Sequence, residues 1–382
     1  MTARDSMPCT ECGAAVRLLP KGWEPGDPAY CPAHEALTGR DPRFVIPDAI
    51  AAAERDMLQP ASDLIDWCLP ELTDTFGYLL PGTVTYGCAF PKNGKTAFLS
   101  NNLHYWDQQG VRVWVMPTES RPKGLITRLA AFRVGVPAEE ALSRRLRVRM
   151  EAGDPQAREQ FAALMHAFST MAGEVHADGS NIAIEPAPRL NRATFRASVQ
   201  AAAAGGFGLV VVDHVDHVQA DKGESEYTTS ANVQHDALEF AEQFEIPILL
   251  MSQLNTSRVG RDLLYRYRRP NTDWLWMKGV KDQIATTMFG IYRPMAPDID
   301  DKLLSDAKDG KAEGWRVAMP HTMGLADMLS RYGGARPDRT LLLDYHDGLL
   351  RSKDHMDVFS TQADTHGIWT GPPSSRPSRR AA

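Results

Sequence analysis

Apolar residues in this chain gather into short, nearly unbroken runs separated by longer stretches of mixed character. From Gly82 onward the runs are Thr83 to Ala89, Val111 to Met116, Gly208 to Val212, Ile246 to Met251, Met288 to Tyr292, Trp315 to Met319 and Thr340 to Tyr345. Runs this short and continuous predict strands buried on both faces, and the amphipathic stretches between them predict covering helices. The expected fold class is therefore α/β, a mainly parallel sheet flanked by helices. Pro137 to Ala172, rich in Ala, Glu, Arg and Leu, predicts helix. Residues 35 to 70 alternate Pro, Asp and Ala-rich stretches and read as a linker with one short helix. The tail Gly371-Pro-Pro-Ser-Ser-Arg-Pro-Ser-Arg-Arg is disordered by composition. The organisation expected is a small module over 1–40, a linker over 41–71, the α/β domain over 72–355 and a disordered tail over 356–382.

Composition narrows the picture. Hydrophobic residues make up 43% of the 382 positions and charged residues 24%, the values of an ordinary soluble protein. No run of about 18 apolar residues is present to span a bilayer, and the opening MTARDSMPCTECG lacks the apolar stretch of a secretion signal. A cytoplasmic protein without membrane contact is expected. The formal net charge of −6 excludes a chain that attracts nucleic acid with its whole surface, so any such contact must be local.

Three of the five cysteines fall before residue 32. Cys9 and Cys12 form one pair spaced by two residues, and Cys31 and His34 form another. Two such knuckles can close a tetrahedral Zn²⁺ site, which makes residues 1–40 a zinc-ribbon-like module with a structural zinc. Cys68 and Cys88 lie outside this pattern and read as buried small hydrophobes.

The segment of most chemical interest runs Pro81-Gly-Thr-Val-Thr-Tyr-Gly-Cys-Ala89-Phe-Pro91-Lys-Asn93-Gly94-Lys95-Thr96. A strand ends in a loop and the loop opens a helix with Gly-Lys-Thr, so backbone N–H groups and the helix N-terminus can cradle phosphates. Lys95 would reach the β and γ oxygens of ATP, and Thr96 would hold Mg²⁺. Ala89 stands where the strict pattern asks for Gly. Elsewhere, Asp213-His-Val-Asp-His217 sets two carboxylates and two imidazoles within five residues, a donor set that also suits a metallohydrolase. Its place directly after a strand is where a P-loop fold needs its Mg²⁺ aspartate.

Taken in order, these segments resemble the DnaB family of hexameric replicative helicases, whose core is a RecA-like P-loop ATPase. That family's loop shares the Ala at position 89, the Pro at 91 and the Gly-Lys-Thr at 94–96, with a Pro-Gly at the same distance before the strand. The resemblance implies nucleotide contacts from Ala89, Pro91, Asn93, Gly94, Lys95 and Thr96. It implies that Glu119, in Thr118-Glu-Ser120 after the second strand, activates the attacking water, and that Asp213 binds Mg²⁺. Ser252-Gln-Leu-Asn255 resembles the family's strand end, whose Gln, here Gln253, senses the γ-phosphate. Gly279-Val-Lys-Asp282-Gln283-Ile-Ala285, with Arg293 fourteen residues after Gly279, reproduces the family's Gly-x-x-acid-Gln-x-Ala run and strand spacing. Lys278, Gly279 and Lys281 would then contact single-stranded DNA, and Arg331 would serve as an arginine finger.

The chain departs from the family in three places. Leu329-Ser-Arg331-Tyr-Gly333 keeps the Arg and Gly of the finger signature but has Leu for its Lys. Trp276, Met277 and Lys278 stand where the family places an Arg before the glycine. A zinc module replaces the helical N-terminal domain. The function implied is an ATP-driven helicase or translocase of phage or mobile-element type, forming a homo-oligomeric ring, a hexamer in the family, with primase or loader proteins as further partners. Two other readings are a RadA-like recombination ATPase, which joins a Cys-x-x-Cys-Gly zinc module to a RecA-type core but carries a Lys-Asn-Arg-Phe-Gly motif missing here, and a non-unwinding loader or regulatory ATPase.

Overall fold

The computed structural model describes residues 64–118, 121–176, 179–186, 190–221, 223–255, 269–294, 321–331, 340–346 and 348–352, with residues 7–8, 15–16, 50, 54, 57–58, 60, 302 and 305. The chain divides into two units, Met1–Leu64 and Ile65–Ala382. In the first, β1 (Met7–Pro8) and β2 (Ala15–Val16) pair antiparallel. Cys9, Cys12, Cys31 and His34 lie outside the described residues, as do the expected strand Trp315 to Met319 and the tail 356–382.

The second unit begins at Ile65, seven residues before the boundary at 72 expected from the sequence. The reason is Trp67. Its ring is buried against Phe98, Trp106 and Phe289, and its Nε1 donates to the Gly77 carbonyl at 2.8 Å. Helix α1 (Pro70–Phe76) follows, with proline in its first turn, where the missing N–H costs nothing.

Among the described residues nine strands form one sheet in the order β11-β10-β9-β8-β3-β7-β6-β4-β5. Six of them run parallel to one another: β8 (Thr287–Tyr292), β3 (Val84–Ala89), β7 (Ile248–Gln253), β6 (Leu209–Asp213), β4 (Val113–Pro117) and β5 (Ile182–Ile184). Three antiparallel strands, β9 (Thr322–Ser330), β10 (Thr340–His346) and β11 (Leu349–Ser352), extend the edge. The central strands are buried along their whole length, and alternate residues enter opposite layers. Leu209, Val211, Leu249, Met251, Phe289 and Ile291 face one core with Trp67, Phe98 and Trp106. Val210, Val212, Ile248, Leu250 and Met288 face the other with Phe195 and Phe240. This two-sided burial is why the strands read as unbroken apolar runs.

One layer is supplied by α1, α2 (Lys95–Gln108) and α3 (Pro122–Arg133), and the other by α7 (Arg192–Ala204) and α8 (Glu226–Phe244). The stretch expected to be one helical region after Pro137 consists of α4 (Ala138–Leu142), α5 (Arg145–Glu151) and α6 (Pro155–His176), which share a core of their own with the end of α3 around Phe132, Leu146 and Leu164. Among the described residues no helix is long and apolar enough to cross a membrane.

One buried imidazole gives this fold a pH limit. His104 on α2 is 5% exposed and lies 5.7 Å from the Phe132 ring. Burial pushes its pKa down to about 4; Asp107 opposes that and Arg133 adds to it. Unfolded, the same ring titrates near 6.5, so above that pH neither state is protonated and the full stability is present. As pH falls from 6.5 toward 4 the unfolded chain takes up the proton first and stability declines, by about 3 kcal/mol for this group. Urea unfolding of wild type and His104→Leu at pH 7.5 and pH 4.5 checks this: the variant is expected to lose less stability between the two. Equal losses would assign the acid sensitivity to other groups.

Candidate active site

The loop expected to bind phosphate occupies the carboxyl end of β3, the middle strand of the sheet, and ligands of open α/β sheets sit at the carboxyl ends of parallel strands. Ala89 is the last residue of β3, and the turn after it is closed by the Asn93 N–H donating to the Phe90 carbonyl at 3.2 Å. Gly94 then takes φ +95°, a left-handed conformation that disfavours any side chain, and a Cβ there would stand 2.7 Å from the Met323 methyl. Gly94 is also the N-cap of α2 and has no side chain of its own to cap that end. The first N–H groups of α2, from Lys95 onward, are thus presented toward a cavity of about 270 Å³.

The cavity is lined by Ala89, Pro91, Gly94, Lys95 and Thr96 from the loop and by Gln253 from the end of β7. Lys95, 9% exposed, places its Nζ 3.5 Å from the buried Asp213 carboxylate at the end of β6. The structure therefore brings together Lys95, Thr96, Asp213 and Gln253, four of the residues singled out by sequence. Asn93 is buried in the same loop. Thr118, at the end of β4, exchanges hydrogen bonds with the His214 backbone at 2.6 and 2.7 Å, which ties β4 to the Asp213 strand end. Glu119, the next residue, lies outside the described residues.

Besides Lys92 of the loop, three charged residues from other elements reach the cavity: Arg128 from α3, Arg293 just past β8, and Glu139 from α4. Among the described residues the Arg128 Nη1 is buried without a hydrogen-bond partner. A buried cationic donor left unsatisfied is costly unless a ligand completes it. Arg293 was legible only as a spacing marker, and Arg128 sits in an amphipathic helix like many others, so neither announced itself in the sequence. The helix N-terminus, two arginines and Lys95 suit a polyphosphate, and Thr96 with Asp213 offers oxygen donors suited to Mg²⁺.

Residues 68–313 match the family model described as DnaB-like helicase C terminal domain. The chain belongs to that family. Two solved structures are similar to it in fold. One, described as the structure of a DnaB-like replicative helicase and its interactions with primase, is 18% identical with a TM-score of 0.60, covering 84% of this chain and 70% of that one. The other, described as an ATPase domain, is 18% identical with a TM-score of 0.59, covering 80% of this chain and 98% of that one. No curated protein sequence matches the chain. The family and fold agree with the α/β, RecA-like architecture expected of a DnaB-like domain.

Away from the cavity, the remaining site residues divide. Lys278 opens α9 (Lys278–Ile284) with Gly279 behind it; its Nζ pairs with the exposed Asp273 at 2.7 Å. Lys281 does not face solvent. It is fully buried, with its Nζ 2.7 Å from Asp216, so the DNA contact expected of it is replaced by an internal ion pair. A lysine two positions from a surface glycine reads as surface charge, whereas the fold turns it inward toward an acid 65 residues away. Arg331 follows β9, at the opposite end of the strands from the loop after β3. Its Nε donates to the Ala285 carbonyl at 2.7 Å and its Nη2 to Asp282 and Gln283 carbonyls at 2.8 and 2.5 Å, capping the end of α9.

Proposed function

We propose that this chain is an ATPase of DnaB-like helicase type that assembles into a ring, hydrolyses Mg²⁺–ATP between subunits and moves along single-stranded DNA. The observation that carries the reading is the glycine-capped start of α2 with Lys95 set against Asp213, opening on a cavity that Gln253, Arg128 and Arg293 also line. Bound nucleotide and Mg²⁺ supply the phosphoanhydride and its charge neutralisation. The N–H groups of α2 and Lys95 hold the phosphates, Thr96 and Asp213 hold the cation, and Arg128 and Arg293 add positive charge around the phosphates. Glu119, next to the anchored Thr118, is the candidate base for water. Gln253 is the candidate sensor of the terminal phosphate. Lys278 and Gly279, at the exposed start of α9, are the candidate DNA contact.

The ring is proposed because Arg331 cannot serve its own nucleotide. Ser330 pairs with Thr287 at the start of β8, whereas Ala89 pairs with Ile291 near its end. Four residue rises, about 13 Å of strand, separate the two edges before the loop itself is counted. Only the site of a neighbouring subunit is available to it. A hexamer is the assembly the family resemblance suggests, and primase or a loader protein is a proposed partner on the same ground. A regulatory ATPase that hydrolyses without unwinding is the second reading, favoured by Leu329 at the lysine position of the finger signature.

Oligo(dT) added to the purified chain is expected to raise its Mg²⁺-dependent ATP turnover, more at low than at high salt, because each phosphate neutralised releases counterions. Turnover indifferent to oligo(dT) would favour the regulatory reading.

Cys9, Cys12, Cys31 and His34 are proposed to hold one structural Zn²⁺. The two-residue spacings support it, as does the pairing of β1 with β2 on either side of residues 9–14. Elemental analysis is expected to give one zinc per chain, lost in a Cys9→Ser, Cys12→Ser variant that still hydrolyses ATP. Full zinc in that variant would remove these ligands from consideration.

A further inference from the structure

Asp216 lies three residues beyond Asp213, in the part of that run of acids and histidines to which the proposed nucleotide site gives no role. Its Oδ2 accepts from the Ser252 hydroxyl at 2.8 Å and from the Gln253 backbone N–H at 2.6 Å. Its Oδ1 accepts from Lys281 Nζ at 2.7 Å, and that same ammonium donates to the Ser252 hydroxyl. Lys281 is fully buried and Asp216 nearly so. The carboxyl stays ionised: burial pushes its pKa up, but Lys281 and the Gln253 N–H outweigh that and hold it below the usual range.

The arrangement has a topological cause. Pairing of β6 with β7 ends at Asp213 opposite Met251, and the Val215 N–H then closes on the Met251 carbonyl at 2.9 Å. Two residues further along β7, the Gln253 N–H points the same way past the end of β6. The Asp216 carboxylate stands in for the missing strand there. On its other side, Gln253 remains in register with Ala89 of the phosphate loop. A buried ion pair is a costly way to pack a helix on a sheet, since apolar residues of similar size usually do as well or better. This one lies where α9, β7 and the loop after β6 meet.

We infer that Asp216 and Lys281 are positioning residues that join α9 to the backbone of Gln253, so that displacement of α9 by bound DNA is felt at the phosphate cavity through this ion pair. The inference rests on the proposed function, in which Lys278 and Gly279 at the start of α9 meet the DNA. Neither residue touches the nucleotide; each acts through Gln253.

The test compares ATP turnover with and without oligo(dT) in the full chain for wild type, Lys281→Met and the double variant Asp216→Asn, Lys281→Met. The single change strands a buried carboxylate and can unfold the chain. The double change removes both charges while the asparagine carbonyl still accepts from the Gln253 N–H. The ratio of stimulated to basal turnover is expected to fall by about 2- to 30-fold in the double variant, the range of coupling energies carried by such networks. An undiminished ratio in a folded double variant overturns the inference and leaves the functional reading standing. A wild-type chain that hydrolyses ATP without any response to oligo(dT) overturns the functional reading and takes the inference with it. Amide exchange in the wild type reads the joint without substitution: oligo(dT) should alter protection at Gln253, and unchanged protection counts against the joint.

Discussion

Replacing Lys95 with alanine is expected to lower Mg²⁺-dependent ATP turnover by about 10² to 10³-fold or more, the loss seen when a preorganised charge-stabilising donor is removed. Lys95 is almost enclosed, and its Nζ lies 3.5 Å from Asp213, so the ammonium is held in place before nucleotide arrives. A donor fixed in a low-dielectric site interacts with phosphate charge more strongly than one in water. Alanine removes that charge and also leaves the buried Asp213 without its cation, so nucleotide affinity should fall along with turnover. Glu119→Gln should separate the two effects by keeping nucleotide binding and losing turnover, since only the basic group is removed. Phosphate release and binding of a fluorescent ATP analogue, measured on both variants, decide the assignments. Wild-type turnover in Lys95→Ala would move the phosphates away from the start of α2.

Arg331→Ala is expected to be as damaging, but only in an assembled protein. An arginine finger contributes about 10³ to 10⁵ in turnover in other phosphoryl-transfer enzymes. In the single chain Arg331 holds the carbonyls at the end of α9, at the strand ends opposite those that carry Lys95, so its removal should leave nucleotide binding intact. Mixing Arg331→Ala chains with Lys95→Ala chains creates interfaces with an intact loop on one side and an intact arginine on the other. Recovery of turnover in the mixture, from two inactive variants, is the expected result. Mixed rings that remain inactive would limit Arg331 to capping α9.

The central strands could be read from the sequence because burial on both faces removes polar residues from them. The apolar runs at 83–89, 208–212, 246–251 and 288–292 correspond to Val84–Ala89, Leu209–Asp213, Ile248–Gln253 and Thr287–Tyr292. Two strands whose burial is partial or brief gave no such signal. Ile182–Ile184 is three residues long and half-buried, and Thr322–Ser330 carries Gly324 and Asp327 within its span. Their place is decided by pairing with neighbours, which no local window contains. The same holds for the domain start, where Trp67 joins the core through rings contributed by residues 98, 106 and 289. In the site, the loop residues that line the cavity were legible because a strand, a tight turn and a Gly-Lys-Thr helix start are written in one contiguous stretch. Arg128 and Asp216 were not, because each acquires its role from a partner or cavity distant in the chain.

The most direct measurement of the central claim is strand displacement from a forked DNA duplex by the purified wild-type chain, with Mg²⁺ and ATP, beside Lys95→Ala as control. The account predicts displacement that requires hydrolysable ATP and vanishes in the control. A wild-type chain that hydrolyses ATP at full rate in the presence of the fork, yet leaves every duplex intact, would contradict it.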